Sequence, residues 1–174
     1  GNIAVNNPAD LYQLEKLRTG NIEALDLLLD TRPYLTSYSD IVALMVIEHQ
    51  VHIQNLITRV NYDVRTALHD TPEFSGATTP ENIDVPEPVR RLVEDINEPL
   101  VEAMLMTNEV VLTDTITGNS GFREWFEGQG PHDSMQRTLR ELDLQTRLFR
   151  YPLSYQIYSS AFDHLPWLAR RQIY

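Results

Sequence analysis

The sequence predicts an all-α fold, an irregular multi-helix bundle with one long central helix and two long loops. Three observations predict it. Apolar residues keep helical spacing from about residue 39 to 69. Proline- and glycine-rich stretches at 70–88 and 114–133 punctuate the chain, and strand-like alternation is weak throughout. At 174 residues the chain reads as a single helical domain, 1–174. Its abrupt opening at Gly1-Asn2 and its end in a helical pattern read as a piece of a longer polypeptide.

The elements follow in order. Asn7-Pro8-Ala9-Asp10 has the form of a helix start: an Asn cap, proline in the first position and an acid in the first turn. That helix runs through Leu11, Leu14 and Leu17 to Gly20, and Asn21 caps a second, Ile22 to Leu29, ended by Pro33. Ser37 with Asp40 resembles a capping box and opens the long helix, placed at about 39–69. Its first turns, Ile41 to Ile47, are apolar all round, so that end is expected to be buried on every side. After the loop at 70–88 comes a helix at about 87–113, expected to kink near Asp95 because Pro99 removes a backbone donor. Inside the second loop, Phe122 to Phe126 forms one or two helical turns. A fifth helix is expected from Ser134 to Phe149, broken by Tyr151-Pro152. A last stretch runs from Ser154 to about Leu165 and resumes after Pro166.

Composition narrows the function classes. The net charge is −11, from 14 basic and 25 acidic residues. Such a surface repels phosphate backbones and anionic head groups, which disfavours nucleic acid and membrane surfaces and favours a cationic partner or a metal ion. No apolar run is long enough for a membrane span. With no cysteine, thiolate catalysis, zinc–thiolate and iron–sulfur sites are excluded, as is a covalently attached haem c.

The chemistry-bearing residues centre on Glu48-His49-Gln50-Val51-His52. At about 100° per residue, His49 falls inside the stripe formed by Ile53, Leu56, Ile57, Val60, Val64 and Ala67. A buried imidazole there needs a hydrogen-bond partner or a ligand. His49 and His52, three apart, can converge on one transition metal with Glu48 as a third ligand. The competing reading makes His49 a bonded core residue and Glu48, His52, Asn55 and Arg59 a polar network along the flank of the stripe. Glu94, Glu98, Glu102 and Glu109 suggest a carboxylate-bridged di-metal site, but their helical phase lies opposite the apolar residues, as on a solvated face. The aromatics of the final third, Tyr155 and Tyr158 among them, are mostly core or else line the pocket of a flat cofactor such as haem. Ser154 has no G-x-S-x-G setting, so nucleophilic catalysis has no support.

Two stretches carry a resemblance. One is Ile41 to Gln50, continuing to Asn55, Arg59, Asn61 and Tyr62. The other runs from Gly121-Phe122 through Leu139, Asp143, Arg147, Arg150 and Tyr155 to Tyr158, Ser159 and Pro166. Together they resemble the helical portion of bacterial exported proteins described as cytochrome-c-like, over about half the chain. The resemblance implies a periplasmic setting and a role as an accessory or interaction module of a c-type cytochrome system, with a cationic cytochrome as partner. The family pattern has a histidine where Gln54 stands; if that histidine is a ligand in the family, it is lost here. Two alternatives stay open: a metal- or haem-binding oxidoreductase domain using His49 and His52, and a purely structural helical domain. The sequence leaves open whether the protein is an enzyme, and its oligomeric state.

Overall fold

The computed structural model describes residues 29–33, 40–71, 84–118 and 120–174. The first two expected helices, Ser37 and most of the 70–88 loop lie outside the described residues. The rest is all-α, without strands among the described residues. Helix α1 spans Ile41–His69, α2 Glu87–Met104, α3 Phe122–Glu127, α4 Ser160–Asp163 and α5 Trp167–Ile173, with a 3-10 turn at Tyr155–Tyr158 before α4. No described helix is long and apolar enough to cross a membrane.

Helix α1 is the spine, and it serves two cores in succession. Along its second half Ile53, Ile57, Val60 and Val64 face Val93, Leu100 and Met104 of α2 and Phe162, Leu165, Leu168 and Ala169 at the C-terminal end. Along its first half Val42 and Val46 face Met106, Phe126, Leu142, Leu144, Leu148, Phe149 and Tyr155. The first core is helix on helix. The second is half a helix closed over by loops. Asn97 ties α2 to α5: its amide donates to the carbonyl of Ala169 (3.2 Å) and to Gln172 Oε1 (3.2 Å), and Gln172 donates back to the carbonyl of Arg90 (2.8 Å).

At the start of α1 the cap is Asp40, whose carboxylate accepts from the N–H groups of Val42 (2.8 Å) and Ala43 (3.3 Å). Its second oxygen accepts from the N–H and hydroxyl of Ser120, so the same carboxylate pins Ser120 to the helix end. Gly118 makes the approach possible, since a Cβ there would stand 2.8 Å from both carboxylate oxygens. Burial pushes the Asp40 carboxyl up, but the hydrogen bonds from Ser120, Ala43 and Val42 outweigh it and hold the group below its ordinary range.

The apolar run Ile41 to Ile47 is not buried on every side. Leu44 is 56% and Ile47 53% exposed. The loops of the second core reach only the Val42–Val46 face, and no described element covers the opposite one.

Helix α2 stops nine residues before the expected end at 113. Met106 takes a left-handed φ of 55°. Its N–H bonds to the carbonyl of Ala103 (3.2 Å) and that of Thr107 to Glu102 (3.1 Å), which is the Schellman closure with methionine where glycine is usual. The helix runs through Pro99.

Residues 134–149 form no helix. An antiparallel bridge joins Leu142 to Phe149. Around it Arg150 N–H donates to Glu141 O (2.9 Å), Asp143 N–H to Leu148 O (3.0 Å) and Leu144 N–H to Arg147 O (2.9 Å), reversing the chain over Gln145-Thr146. Asp143 caps the reversal by accepting from Gln145 N–H (3.1 Å) and the Thr146 hydroxyl (2.5 Å). Such side-chain bonds compete directly with helix. The last helical stretch is likewise broken, into the 3-10 turn and α4, before α5 resumes after Pro166 as expected.

Replacing Asp40 with alanine removes the cap of α1 and should cost about 1–2 kcal/mol in denaturant unfolding. Because the folded carboxyl titrates below its unfolded value, its contribution is present above the unfolded pKa and is lost as pH falls through the folded one. An acid titration of stability should therefore be shallower in Asp40→Asn than in the wild type.

Candidate functional site

The two cores of α1 meet at His49. One face of its ring lies against Phe149 (centroids 4.9 Å apart) and, farther off, Tyr155 (6.1 Å). Its Nε2 is 2.8 Å from the Ser154 hydroxyl. Ser154 is fully buried, and its Oγ accepts from Gln156 N–H (3.2 Å), capping the 3-10 turn. A buried hydroxyl hydrogen needs an acceptor. The imidazole nitrogen supplies it, so the Ser154 O–H donates to Nε2 and the ring carries its proton on Nδ1. Ser154 also donates its N–H to Met104 O (2.8 Å), at the end of α2. One serine thus ties together α1, α2 and the 3-10 turn.

Burial drives the His49 pKa down to about 4; the Glu109 carboxylate opposes the shift and His52 adds to it. At neutral pH the ring is uncharged. A serine hydroxyl 2.8 Å from an imidazole has the spacing of a nucleophile and its base. Three features deny it that role. Ser154 is out of reach of any substrate, its oxygen is engaged as a cap, and a base with so low a pKa is weak at neutral pH.

His49 also borders a cleft of about 350 Å³ lined with it by His52, Leu56, Pro99, Glu102, Ala103, Met106, Asn108 and Glu109. Glu109, expected on a helix with Glu94, Glu98 and Glu102, sits instead beyond the end of α2. It is an organiser of the second core: its carboxylate takes both Nε (2.9 Å) and Nη2 (2.7 Å) of Arg147, and its other oxygen accepts from Leu148 N–H (3.0 Å). This fork holds the far arm of the hairpin.

The remaining sequence candidates separate. His52 lines the cleft with an exposed side chain. Glu48 is exposed and is not part of the cleft. Asn55 and Arg59 are exposed as well, and Arg59 pairs with Asp63 (3.5 Å) rather than with Glu48, so the flank is a solvated strip and not an internal network. With Nε2 of His49 engaged and Glu48 turned away, the donor set does not fit a metal ion. Among the described residues no group of three or more His, Asp or Glu side chains could hold one. Gln54 is exposed, beside a separate shallow groove with His164. Glu94, Glu98 and Glu102 are exposed, as their phase predicts.

Tyr155 and Tyr158 face a different pocket, of about 290 Å³, on the other side of α1 from the cleft; Gln50 and Arg140 share it. Tyr155 is buried and donates its hydroxyl to Gln50 Oε1 (3.2 Å), while Tyr158 is exposed. Sequence reasoning weighed Ser154 as a nucleophile and Glu109 as a metal ligand but not as organisers of the structure, and did not single out Arg140. Only Ser154 carried a local signal, standing as a cap before a helical stretch.

Comparison with known proteins gives no match: no family model, no curated protein and no solved structure is similar to this chain.

The His49 linkage has a definite sign. The unfolded ring titrates near 6.5 and the folded one at about 4, so stability is full above the unfolded value and is lost as pH falls through the window between them. The loss reaches about 3 kcal/mol at most. His49→Phe should flatten that part of the stability–pH curve, and an unchanged slope would contradict the buried neutral ring. Separately, Glu109→Ala strands the Arg147 guanidinium and should cost roughly 2–4 kcal/mol in unfolding free energy. Arg147→Met together with Glu109→Leu should recover part of that loss.

Proposed function

We propose that this chain is a helical accessory or interaction module of a periplasmic c-type cytochrome system, and that it offers the outer face of α2 to a cationic partner. The observation that carries the reading is on that helix. Glu94, Asp95, Glu98 and Glu102 lie within about a third of its circumference, all exposed and without an ion-pair partner among the described residues. The ion pairs of α2 are confined to its first turns, where Glu87 holds Arg90 and Arg91. Two turns of carboxylates on a rigid helix give a surface suited to steering a positively charged protein. The resemblance of the α1 and C-terminal segments to cytochrome-c-like exported proteins supplies the partner class.

One observation favours the alternative of a metal- or haem-binding oxidoreductase: His49 and His52 border the same cleft, with Met106. The engagement of Nε2 with Ser154 weighs against it. A visible spectrum and elemental analysis after reconstitution separate the two readings.

Titration against a cationic c-type cytochrome should give binding that weakens steeply with added salt. The combined Glu94→Gln, Glu98→Gln and Glu102→Gln variant should bind about tenfold or more weakly at low salt while unfolding like the wild type. Binding that ignores both salt and these substitutions would sink the proposal.

A further inference from the structure

We infer that the pocket beside Arg140 is a binding site for a small oxyanion, a carboxylate or a phosphate group, held by the Arg140 guanidinium. The inference does not rest on the partner reading above and concerns a different face of the molecule.

Arg140 is only partly exposed, yet no acid neutralises it among the described residues. Its neighbour in sequence, Glu141, is committed elsewhere, to Arg150 (2.9 Å) and to Thr138 N–H (3.1 Å). What holds the guanidinium is aromatic. Its carbon lies 4.4 Å from the centre of the Tyr155 ring and 4.8 Å from that of Phe126. The two rings meet edge to face at 5.2 Å and belong to the second core. These ring contacts hold the cation through its π-facing side and use none of its N–H donors. None of these donors has a protein acceptor among the described residues; only the backbone N–H of Arg140 is bonded, to the Thr138 hydroxyl (3.3 Å). A guanidinium fixed in orientation, with its edge unspent, is suited to bidentate recognition of a carboxylate or phosphate.

The pocket around it, about 290 Å³, has complementary chemistry. Its walls carry no Asp or Glu, although the chain holds 25 of them. Tyr155 donates to Gln50 Oε1, which leaves the Gln50 amide nitrogen in the same wall as a donor with no acceptor among the described residues. The Tyr158 hydroxyl is a further donor there, on an exposed ring. Gly130 admits the arginine: its φ of +83° suits glycine, and a Cβ would stand 2.9 Å from Arg140 Nε. A second groove of about 340 Å³, sharing Pro131, Thr138 and Tyr158, lies alongside and gives the body of a larger ligand room beyond its anionic end.

The test uses the wild-type protein first. Titrate sodium phosphate and sodium succinate separately, at ionic strength held constant with sodium chloride, and follow the Arg140 Nε–Hε resonance by proton–nitrogen NMR. A saturable shift with phosphate, succinate or both is expected, none with chloride, and the stronger of the two identifies the anion class. Arg140→Lys keeps the charge and loses the fork; its binding, followed in both proteins at the Tyr158 backbone amide because the Nε–Hε signal is gone, should be weaker by about tenfold or more. Gln50→Leu, which leaves the stacked rings in place, should weaken it less. If neither anion shifts the wild-type resonance at millimolar concentration, the inference fails. It also fails if Arg140→Lys, folded by its thermal transition, binds as tightly as the wild type.

Discussion

The arrangement depends on keeping one half-buried imidazole neutral at the point where α1 passes from one core to the other. His49 cannot be replaced in the bond network by an aliphatic residue of the stripe, because the buried Ser154 hydroxyl needs an acceptor there. Ser154 in turn caps the 3-10 turn with its Oγ and bonds the end of α2 with its N–H. A helix-on-helix core and a loop-built core are held in fixed relation by a short chain of polar bonds, whose protonation at low pH breaks the first link. That role occupies Nε2, one of the two ring nitrogens through which His49 could bind a metal or move a proton.

The loop-built core needs such anchors because it has few apolar residues in regular elements. Its charged side chains bond backbone groups that a helix or sheet would otherwise satisfy. Asp40 bonds Val42, Ala43 and Ser120; Glu109 bonds Leu148; Glu127 bonds Leu142 N–H (2.9 Å); and Arg123, which also bonds Glu127 (3.1 Å), donates to Leu142 O (3.0 Å). Each joins segments distant in sequence. Carboxylates in this half of the molecule do the work of secondary structure, and part of the chain's acidic excess is accounted for in that way.

The same division explains what could be read in advance. The α1 span and the outward acids of α2 were legible because a 3.6-residue period registers burial of one face, and both helices bury one face. The place of His49 in the stripe predicts a largely buried ring; the structure leaves it half-buried at the edge of a cleft. The hairpin at 141–150 was not legible. Leu142 and Leu144 alternate around Asp143, a short strand signal, but Leu139, Leu142 and Phe149 also share one face of a helix. What decides between them is the Glu109 fork, 38 residues away from Arg147. The end of α2 was hidden for a different reason: Met106 takes the left-handed position that sequence reading assigns to glycine. Leu44 and Ile47 misled because hydrophobicity in a short run says nothing about which neighbours reach it.

Charge is sorted in the same spirit. Most described arginines sit against a carboxylate, from Arg59 with Asp63 to Arg150 with Glu141, and these pairs are mostly local and exposed. An exposed arginine without an acid costs little, since water solvates it. Arg140 is different, being partly sunk between rings and kept from every described acid. Desolvating a cation without a counter-ion is unfavourable, and the ring quadrupoles offset only part of that cost. In a protein with acids to spare, pairing Arg140 would have been the cheaper arrangement. Its isolation, with donors on one edge and an acid-free wall around it, is what an anion arriving from outside would complete. The exposed carboxylates of α2 show the converse arrangement, negative charge left unpaired on a rigid face where a positive surface can reach it.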